Sequence, residues 1–432
     1  MIGSDNTIGA NIYTGFKAIT ESAKCLMCDD APCQEGCPAK VKISLFLRQI
    51  RTGDFIGAAK TIREDNVFGS TCARICPSQR LCQKNCNSSK IGMPIDIPGL
   101  QEFVCDMHLK AGLKPVNQPN QLNKSIAIVG AGPGGLAAAF ELRKLGYQVT
   151  IFERQKEIGG MLKLCLPDYR LPRDILDSEI SFITDYGVKI IFEKDIIKVK
   201  ELQNKFDAVY LSVGLQYDLC LDIPGNNLDG VMTALNFLTN KYVNNSIKLG
   251  KNVAVIGGGD VAMDCARTAI RYPNVENVYL IYRRSAKEMP AQPIEKDQAE
   301  KEGIIFHNLL APTSIEGNNV VQKLNCIQTV LAKPDSSGRR SPVVVDNTLV
   351  TFDVDNVIFA IGQQPSNEFI LNNPDLKTNK KGLLEIDSET FETTVRGVFA
   401  GGDIVGTTTA IESIGNAKKA AYSIHSYLSG SN

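Results

Sequence analysis

Residues 125–153 read SIAIVGAGPGGLAAAFELRKLGYQVTIFE, and the fold follows from them. An apolar, β-branched run leads into Gly130, Gly132 and Gly135 in GxGxxG spacing, with Gly134 between the last two. An Ala/Leu-rich helical pattern follows, then a second apolar run that ends in Glu153. A dinucleotide site needs this order. The glycines permit a tight turn and a close backbone approach to a pyrophosphate, and the helix N-terminus favours the negative charge. Glu153 stands where the ribose hydroxyls would be. The competing reading is a glycine-rich β–α turn with no ligand; strand, helix and acid all in place favour the dinucleotide.

The logic recurs downstream. KNVAVIGGGDVAMDCARTAIR, from Lys251, is a strand, Gly257-x-Gly259-Asp260-Val261-Ala262 and a helix, and NVYLIYRR is the next strand. Two such units in one chain imply two dinucleotides. The second unit has no acid at the matching strand end. It has Arg283 and Arg284, with Lys287 a little later, and arginine there suits a 2′-phosphate. We therefore expect NADPH at the second site, NADH being possible, and FAD at the first; a plain pair of surface arginines is the alternative. The tail holds Gly402-Asp403 before a helix apolar at Ile411, Ile414, Ala417, Ala421, Ile424 and Leu428. Asp403 is placed to bond the flavin's ribityl chain, with the helix N-terminus toward the isoalloxazine.

With 432 residues the chain has room for about three domains at roughly 150 residues each. Lys+Arg and Asp+Glu are equal at 47 each, so no global field draws it to nucleic acid or an anionic membrane. No secretory start and no long apolar window are expected. The reading is a soluble cytoplasmic chain.

Eight of the thirteen cysteines lie between Cys25 and Cys86. They form Cys25-x2-Cys28-x4-Cys33-x3-Cys37-Pro38 and Cys72-x3-Cys76-Pro77-x4-Cys82-x3-Cys86. In a reducing compartment such density points to metal rather than disulfides. The Cys37-Pro38 ending suits two [4Fe–4S] clusters with crossed ligands; two structural zinc sites are the competing reading. Helical patterns at 41–51 and 54–64, the second capped by Asp54, lie between the groups. A third helix, LQEFVCDMHLKAG, precedes a linker, GLKPVNQPNQLN. A β-rich stretch spans 304–352 with a loop at 333–341. Cys165, Cys220, Cys265 and Cys326 are isolated, so no dithiol serves the flavin, and each reads as a buried small apolar residue. His108, His307 and His425 suggest surface or packing roles, and no catalytic side chain is assigned. The redox order expected is hydride from NADPH to FAD, then single electrons through the clusters.

Taken together, CxxCxxxxCxxxCP, GSTCARICPSQRLCQKNC, PIDIPGLQEF, GAGPGG, VIGGGDVAMD, YRRSAKEMPA and AGGD resemble the flavin and iron–sulfur subunit of bacterial NAD(P)-dependent dihydropyrimidine dehydrogenase. The glutamate synthase small subunit is a relative of the same fold whose second cysteine group typically lacks an equivalent of Cys72. The resemblance implies one cluster on Cys25, Cys28, Cys33 and Cys86 and a second on Cys37, Cys76, Cys82 and Gln101, leaving Cys72 spare; thiol counting alone would choose Cys72. It also implies Arg170 and the Thr407 to Ala410 stretch, with Thr409 and Ala410, near FAD, and Gly259, Asp260, Val261 and Ala262 with the Ala360 to Gly362 stretch near NADPH; Gly160 and Met161, which follow Glu153, join the FAD candidates. Family members that use NADH tend to lack the arginine pair.

The expected architecture is α/β: an N-terminal α-helical two-[4Fe–4S] domain (1–120), then two Rossmann-like nucleotide-binding domains, one inserted in the other. The FAD domain takes 121–228 and 355–432, and the NAD(P) domain 229–354. The implied partner is an FMN- and iron–sulfur-bearing catalytic subunit that reduces uracil or thymine. A glutamate synthase small subunit is the alternative enzyme, and a redox-silent zinc-stabilised scaffold the alternative outside enzymes.

Overall fold

A computed structural model describes residues 13–113, 121–244, 246–334 and 340–430. The chain divides into two compact units: Met1–Lys163 with Asp168–Leu215 and Pro365–Asn432, and Leu164–Pro167 with Gln216–Gln364.

In the first unit the hub strand Ser125–Val129 pairs in parallel with Gln148–Phe152, Ser125 opposite Gln148 and Val129 opposite Phe152. On its other side lies Ala208–Leu211. Val398–Ala400 and Lys189–Ile191 complete a five-stranded sheet, in the order Val398–Ala400, Ala208–Leu211, Ser125–Val129, Gln148–Phe152, Lys189–Ile191. The strand order reverses beside the hub strand, so the crevice at its carboxyl end is where a doubly wound sheet takes a ligand. Ala127, Val129, Val209, Leu211, Val398 and Ala400 bury one face of the sheet in a single core.

The cysteine-rich segment is helical. The expected helix at 41–51 forms at Ile43–Arg51 and buries Ile43, Phe46, Leu47 and Ile50, the spacing of one helix face. The next spans Phe55–Asp65, capped by Asp54, whose side chain accepts from Gly57 N at 2.8 Å. Ile97–Lys110 is capped in the same way by Asp96 and packs against Gly69–Ile75. The linker reading at 112–123 lies partly outside the described residues.

These helices dock on the flavin segment through polar and backbone contacts. Lys418 of the C-terminal helix Ala410–Ser429 pairs with Asp65. Lys144 donates to the Glu64 carbonyl at 3.0 Å, and Glu179 accepts from Ser70 N and Thr71 N at 2.8 and 2.9 Å.

The second unit holds a parallel sheet in the order Val231–Thr233, Asn356–Phe359, Asn252–Ile256, Asn277–Tyr282, Ile305–Asn308. Its antiparallel companion is Leu310–Glu316, Lys323–Pro334, Arg340–Asp353. A boundary at 354/355 would put Asn356–Phe359 in the first sheet. Its ladder with Val253–Ile256 puts it in the second, because a fully buried Val-Ile-Phe run needs a strand on each side. Of the expected loop at 333–341, residues 335–339 lie outside the described residues, and 333–334 and 340–341 belong to strands.

Candidate functional site

The hub turn is built so that backbone meets backbone. Gly130 has φ +99, the left-handed region that favours glycine, and a Cβ there would collide with the Ser212 carbonyl. A side chain on Gly160 would stand 2.8 Å from the Gly132 Cα, so the Gly159-Gly160 turn lies directly against the loop. Gly159 N also donates to the Ala131 carbonyl at 2.8 Å. Glu153 is 7% exposed. Its Oε2 accepts from Ala131 N at 2.7 Å and its Oε1 from Gln155 N at 2.8 Å. The acid therefore braces the glycine loop, and its remaining lone pairs are what it can offer to ribose hydroxyls.

Gly402 also has positive φ, +83. Asp403 accepts from Thr407 Oγ1 at 3.0 Å, and Thr407 is 3.0 Å from Ser413 Oγ. Burial pushes the Asp403 carboxyl up, against the Thr407 hydrogen bond that lowers it. Thr409 caps the C-terminal helix and Ala410 begins it; the Thr409 hydroxyl accepts from Glu412 N at 3.3 Å, and Glu412 Oε2 accepts from Thr408 N at 3.0 Å and from Thr409 Oγ1 at 2.9 Å, which fixes the start of the helix. Met161 opens the short helix Met161–Leu164, and Arg170 is 5% exposed. A pyrophosphate and a ribityl chain fit this set: bare glycine backbone, a helix N-terminus, and acids held by neighbours.

Ser212 and Ser413 were not singled out from the sequence. A side chain on Gly134 would come within 2.7 Å of Ser212 Oγ and 3.6 Å of the Ser413 Cβ, so both face the hub loop. The signal for Ser212 was there: a small polar residue directly after the apolar run AVYL, at a strand's carboxyl end. Ser413 sits inside a helical pattern and carries no such mark.

In the second unit, Gly257, Gly258 and Gly259 lead into the helix Asp260–Ala269, with Ala262 buried and Val261 exposed. A side chain on Gly257 would strike the Ala360 carbonyl, and Gly362 adopts φ +122. The segment after Arg284 folds over this loop. Ala291 N donates to the Gly258 carbonyl at 3.0 Å, Gln292 N to Asp260 Oδ1 at 2.8 Å, and Tyr282 OH to the Glu288 carbonyl at 2.9 Å. The arginine pair is not equivalent. Arg283 and Lys287 are exposed, whereas Arg284 is 7% exposed and gives Nε to the Arg340 carbonyl at 2.9 Å. This corrects the reading of two arginines presented together to a phosphate: just past the end of the strand Asn277–Tyr282, the Arg340 carbonyl holds the Arg284 side chain inward and Arg283 alone stays exposed.

The structure brings Cys25, Cys28, Cys33 and Cys86 round one pocket, walled by Leu26, Leu47, Ile95 and Ile97. Asn87 Nδ2 donates to Cys28 Sγ at 3.4 Å. Burial pushes Cys25 up and Cys33 up to about 12, and the neighbouring Cys86 adds to both. Cys37, Cys72, Cys76 and Cys82 form a second neighbourhood. Cys76 is pushed well up by its hydrogen bond with Cys72 and by burial, with Cys37 and Cys82 adding to it. Burial takes Cys82 to about 12. Gln101 is 9% exposed and donates Nε2 to the Gly69 carbonyl at 2.7 Å, anchoring its amide on the helix that carries Cys72.

Thiols held neutral in this way become ligands only when a metal displaces their protons. Among the described residues no three His, Cys, Asp or Glu side chains gather as they would round a single ion. Four cysteines lining one pocket are a donor set that fits a four-iron cluster, one thiolate to each iron.

Cys165, Cys265 and Cys326 are buried, as expected of small apolar residues, but Cys220 is exposed, two residues past the short strand Tyr217–Asp218. His108 is buried against Phe182, His425 bonds Tyr147 OH at 2.8 Å, and His307 packs on Phe352, all structural placements. No described helix is long and apolar enough to cross a membrane.

Residues 124–421 match the pyridine nucleotide-disulphide oxidoreductase family, and residues 6–113 match dihydropyrimidine dehydrogenase domain II, 4Fe-4S cluster. The chain is 37% identical to the NADP(+)-dependent formate dehydrogenase subunit beta of Moorella thermoacetica over 92% of its own length, but spans only 60% of that relative. It is 34% identical to an NAD-dependent dihydropyrimidine dehydrogenase subunit PreT homolog of Salmonella typhi, covering 96% of this chain and 95% of the other. It is also 34% identical to the glutamate synthase [NADPH] small chain of Azospirillum brasilense, covering 97% and 91%. Mycobacterium tuberculosis FprA in complex with NADPH shares the fold of the two nucleotide-binding parts, with TM-score 0.62 at 18% identity over 71% of this chain and 85% of that one. The cofactors are accordingly FAD, NAD(P) and 4Fe–4S, in an oxidoreductase of the electron-input type. The chain belongs to the pyridine nucleotide-disulphide oxidoreductase family.

Proposed function

We propose that this chain is the NADPH-oxidising subunit of a dihydropyrimidine dehydrogenase-type complex. In it, electrons taken from NADPH are delivered through two [4Fe–4S] clusters to an FMN- and iron–sulfur-bearing partner that reduces uracil or thymine. The observation that carries this reading is the end-to-end match to the PreT-type subunit, together with the cysteine spacing that includes Cys72. FAD supplies the conversion of a two-electron hydride into single electrons, and the clusters supply one-electron carriage.

The chain's own residues would hold these groups as follows. Gly130, Gly132, Gly134, Gly135, Glu153, Gly160, Met161, Arg170, Gly402, Asp403, Thr409 and Ala410 cradle FAD. Gly257, Gly259, Asp260, Val261, Ala262, Ala360 and Gly362 take NADPH, with Arg283 and Lys287 toward its 2′-phosphate, while Arg284 is turned inward onto the Arg340 carbonyl and serves the fold. Cys25, Cys28, Cys33 and Cys86 hold one cluster. Cys37, Cys76, Cys82 and Gln101 hold the other, the anchored Gln101 amide leaving its oxygen for iron. The chain then comprises a cluster domain, a flavin domain in two segments and an inserted nucleotide domain, with joints at 215/216 and 364/365, the bounds of the long segment of the second compact unit.

The near-complete match to a glutamate synthase small chain favours a second reading, in which the partner is a large amidotransferase subunit. Anaerobic affinity purification from the native host, with the co-purifying proteins identified by mass spectrometry, separates the two. An FMN-bearing barrel subunit with its own cysteine clusters supports the pyrimidine reading; an amidotransferase replaces it with the second. A colourless zinc-containing chain that NADPH does not bleach would sink both.

A further inference from the structure

We infer that Glu179 is a positioning residue for the cluster assigned above to Cys37, Cys76, Cys82 and Gln101, gripping from the flavin segment the helix that carries Cys76. The inference rests on that ligand assignment and goes beyond it to a residue outside every cysteine motif.

The helix Gly69–Ile75 begins without a cap of its own: Phe68 occupies the cap position and offers no side-chain acceptor. Its first backbone N–H groups would be orphaned in a buried place. Glu179, from the helix Arg173–Thr184, fills the gap across 109 residues of sequence. Its two oxygens accept from Ser70 N at 2.8 Å and Thr71 N at 2.9 Å, and the residue is 0% exposed. Arg63 stands 3.2 Å from Oε1 and balances the charge, while its own NH1 donates to the Val67 carbonyl at 2.8 Å and its guanidinium lies over Phe182 at 5.0 Å. At the other end of the same short helix, Cys76 is the C-cap, its N–H bonded to the Cys72 carbonyl at 3.0 Å. Gln101 bonds the Gly69 carbonyl in the first turn. A seven-residue helix is a rod of about 10 Å, so what fixes its first turn also fixes the thiol at its last.

A carboxylate suits this role and an amide does not. Two N–H donors converge on two acceptor oxygens; in Glu179→Gln one oxygen becomes an NH2 facing a donor. The change also leaves the Arg63 cation without its counter-charge beside the site, which favours the more negative, reduced form of the nearby cluster.

The test uses the full chain, purified anaerobically with its cofactors, comparing E179Q with the parent by iron, acid-labile sulfide and FAD content, by EPR after dithionite reduction, and by redox titration. The expected result is unchanged FAD, one of two cluster signals altered in line shape with its midpoint moved positive, and the other signal unmoved. Where E179Q gives too little folded chain, E179D keeps the charge and shortens the reach by one methylene. The same single signal should change, with a smaller potential shift. Two unchanged signals, or two signals disturbed alike, would overturn the positioning role. A parent chain with FAD but no iron or sulfide would instead overturn the cluster assignment on which it rests.

Discussion

Gly415 lies inside the C-terminal helix, buried, and its replacement by alanine separates two lines of physical reasoning. Helix propensity alone favours the change: Gly→Ala in a helix interior stabilises by about 0.8–1.0 kcal/mol. The tertiary structure opposes it. A Cβ on Gly415 would stand 2.5 Å from the Pro38 carbonyl oxygen, 2.9 Å from its carbon and 3.4 Å from Ala39 N. To reach an ordinary contact of 3.4 Å the Cys37–Ala39 backbone must retreat by 3.4 − 2.5 = 0.9 Å. That backbone has little freedom: Lys40 N bonds the Cys37 carbonyl at 2.9 Å and Lys418 reaches the Ala39 carbonyl at 3.4 Å. Overpacking against a fixed neighbour costs about 1–3 kcal/mol, and a backbone obstacle argues for the upper half of that range. The net expectation is destabilisation by about 1–2 kcal/mol, or a melting temperature lower by roughly 2–3 °C for a unit of this size. Because Cys37 is on the displaced turn, cluster content should fall as well. The assay is thermal melting followed by flavin fluorescence, with iron determined on the same samples. A Gly415→Ala chain that melts higher and keeps its iron would refute the argument, since propensity would then have acted unopposed.

Three further outcomes are expected. Arg283→Ala should lower kcat/KM for NADPH by about 10- to 150-fold, the loss of one charged phosphate contact of about 1.5–3 kcal/mol, and leave NADH untouched. Arg284→Ala should lower the melting temperature without changing the NADPH/NADH ratio, and steady-state kinetics with both nucleotides checks the pair. Gln101→Ala should alter one cluster's EPR signal while Cys72→Ala preserves both; the reverse pattern would make Cys72 the ligand. In the cluster-free chain, burial raises Cys33 and Cys82 from 9.0 to about 12. The folded state therefore binds protons that the unfolded state has lost, and stability present below pH 9 should drain away between pH 9 and 12. Melting curves at pH 7.5 and 10 should show that loss after chelator treatment and not in the loaded chain, whose thiolates are already on iron.

The docking of the helical segment shows how unlike the supporting contacts are to the motifs they support. The Cys37-Pro38 turn, the Cys76 helix and the Asp403 turn are each visible as patterns. What joins them is Gly415 against Pro38, Glu179 against Ser70 and Thr71, and Lys418 against Asp65. Buried polar groups drawn from distant parts of the chain must be paired to be tolerated. Such pairs hold the cysteine-rich segment to the flavin segment in one arrangement.

Read alone, the sequence determined everything that depends on chain neighbours. The two glycine turns, the strands and helices around them, the cap at Asp54 and the metal character of the cysteines are all local patterns, because backbone conformation and capping act over a few residues. The spacing could not say which thiols converge; a resemblance supplied the set of Cys25, Cys28, Cys33 and Cys86, and the structure brings those four to one pocket. Only the tertiary structure decided that Arg284 turns inward while Arg283 stays out, that Cys220 is exposed, and that Asn356–Phe359 pairs in the second sheet. Each depends on which atoms, far apart along the chain, are pressed together by burial, and that is set by packing rather than by spacing.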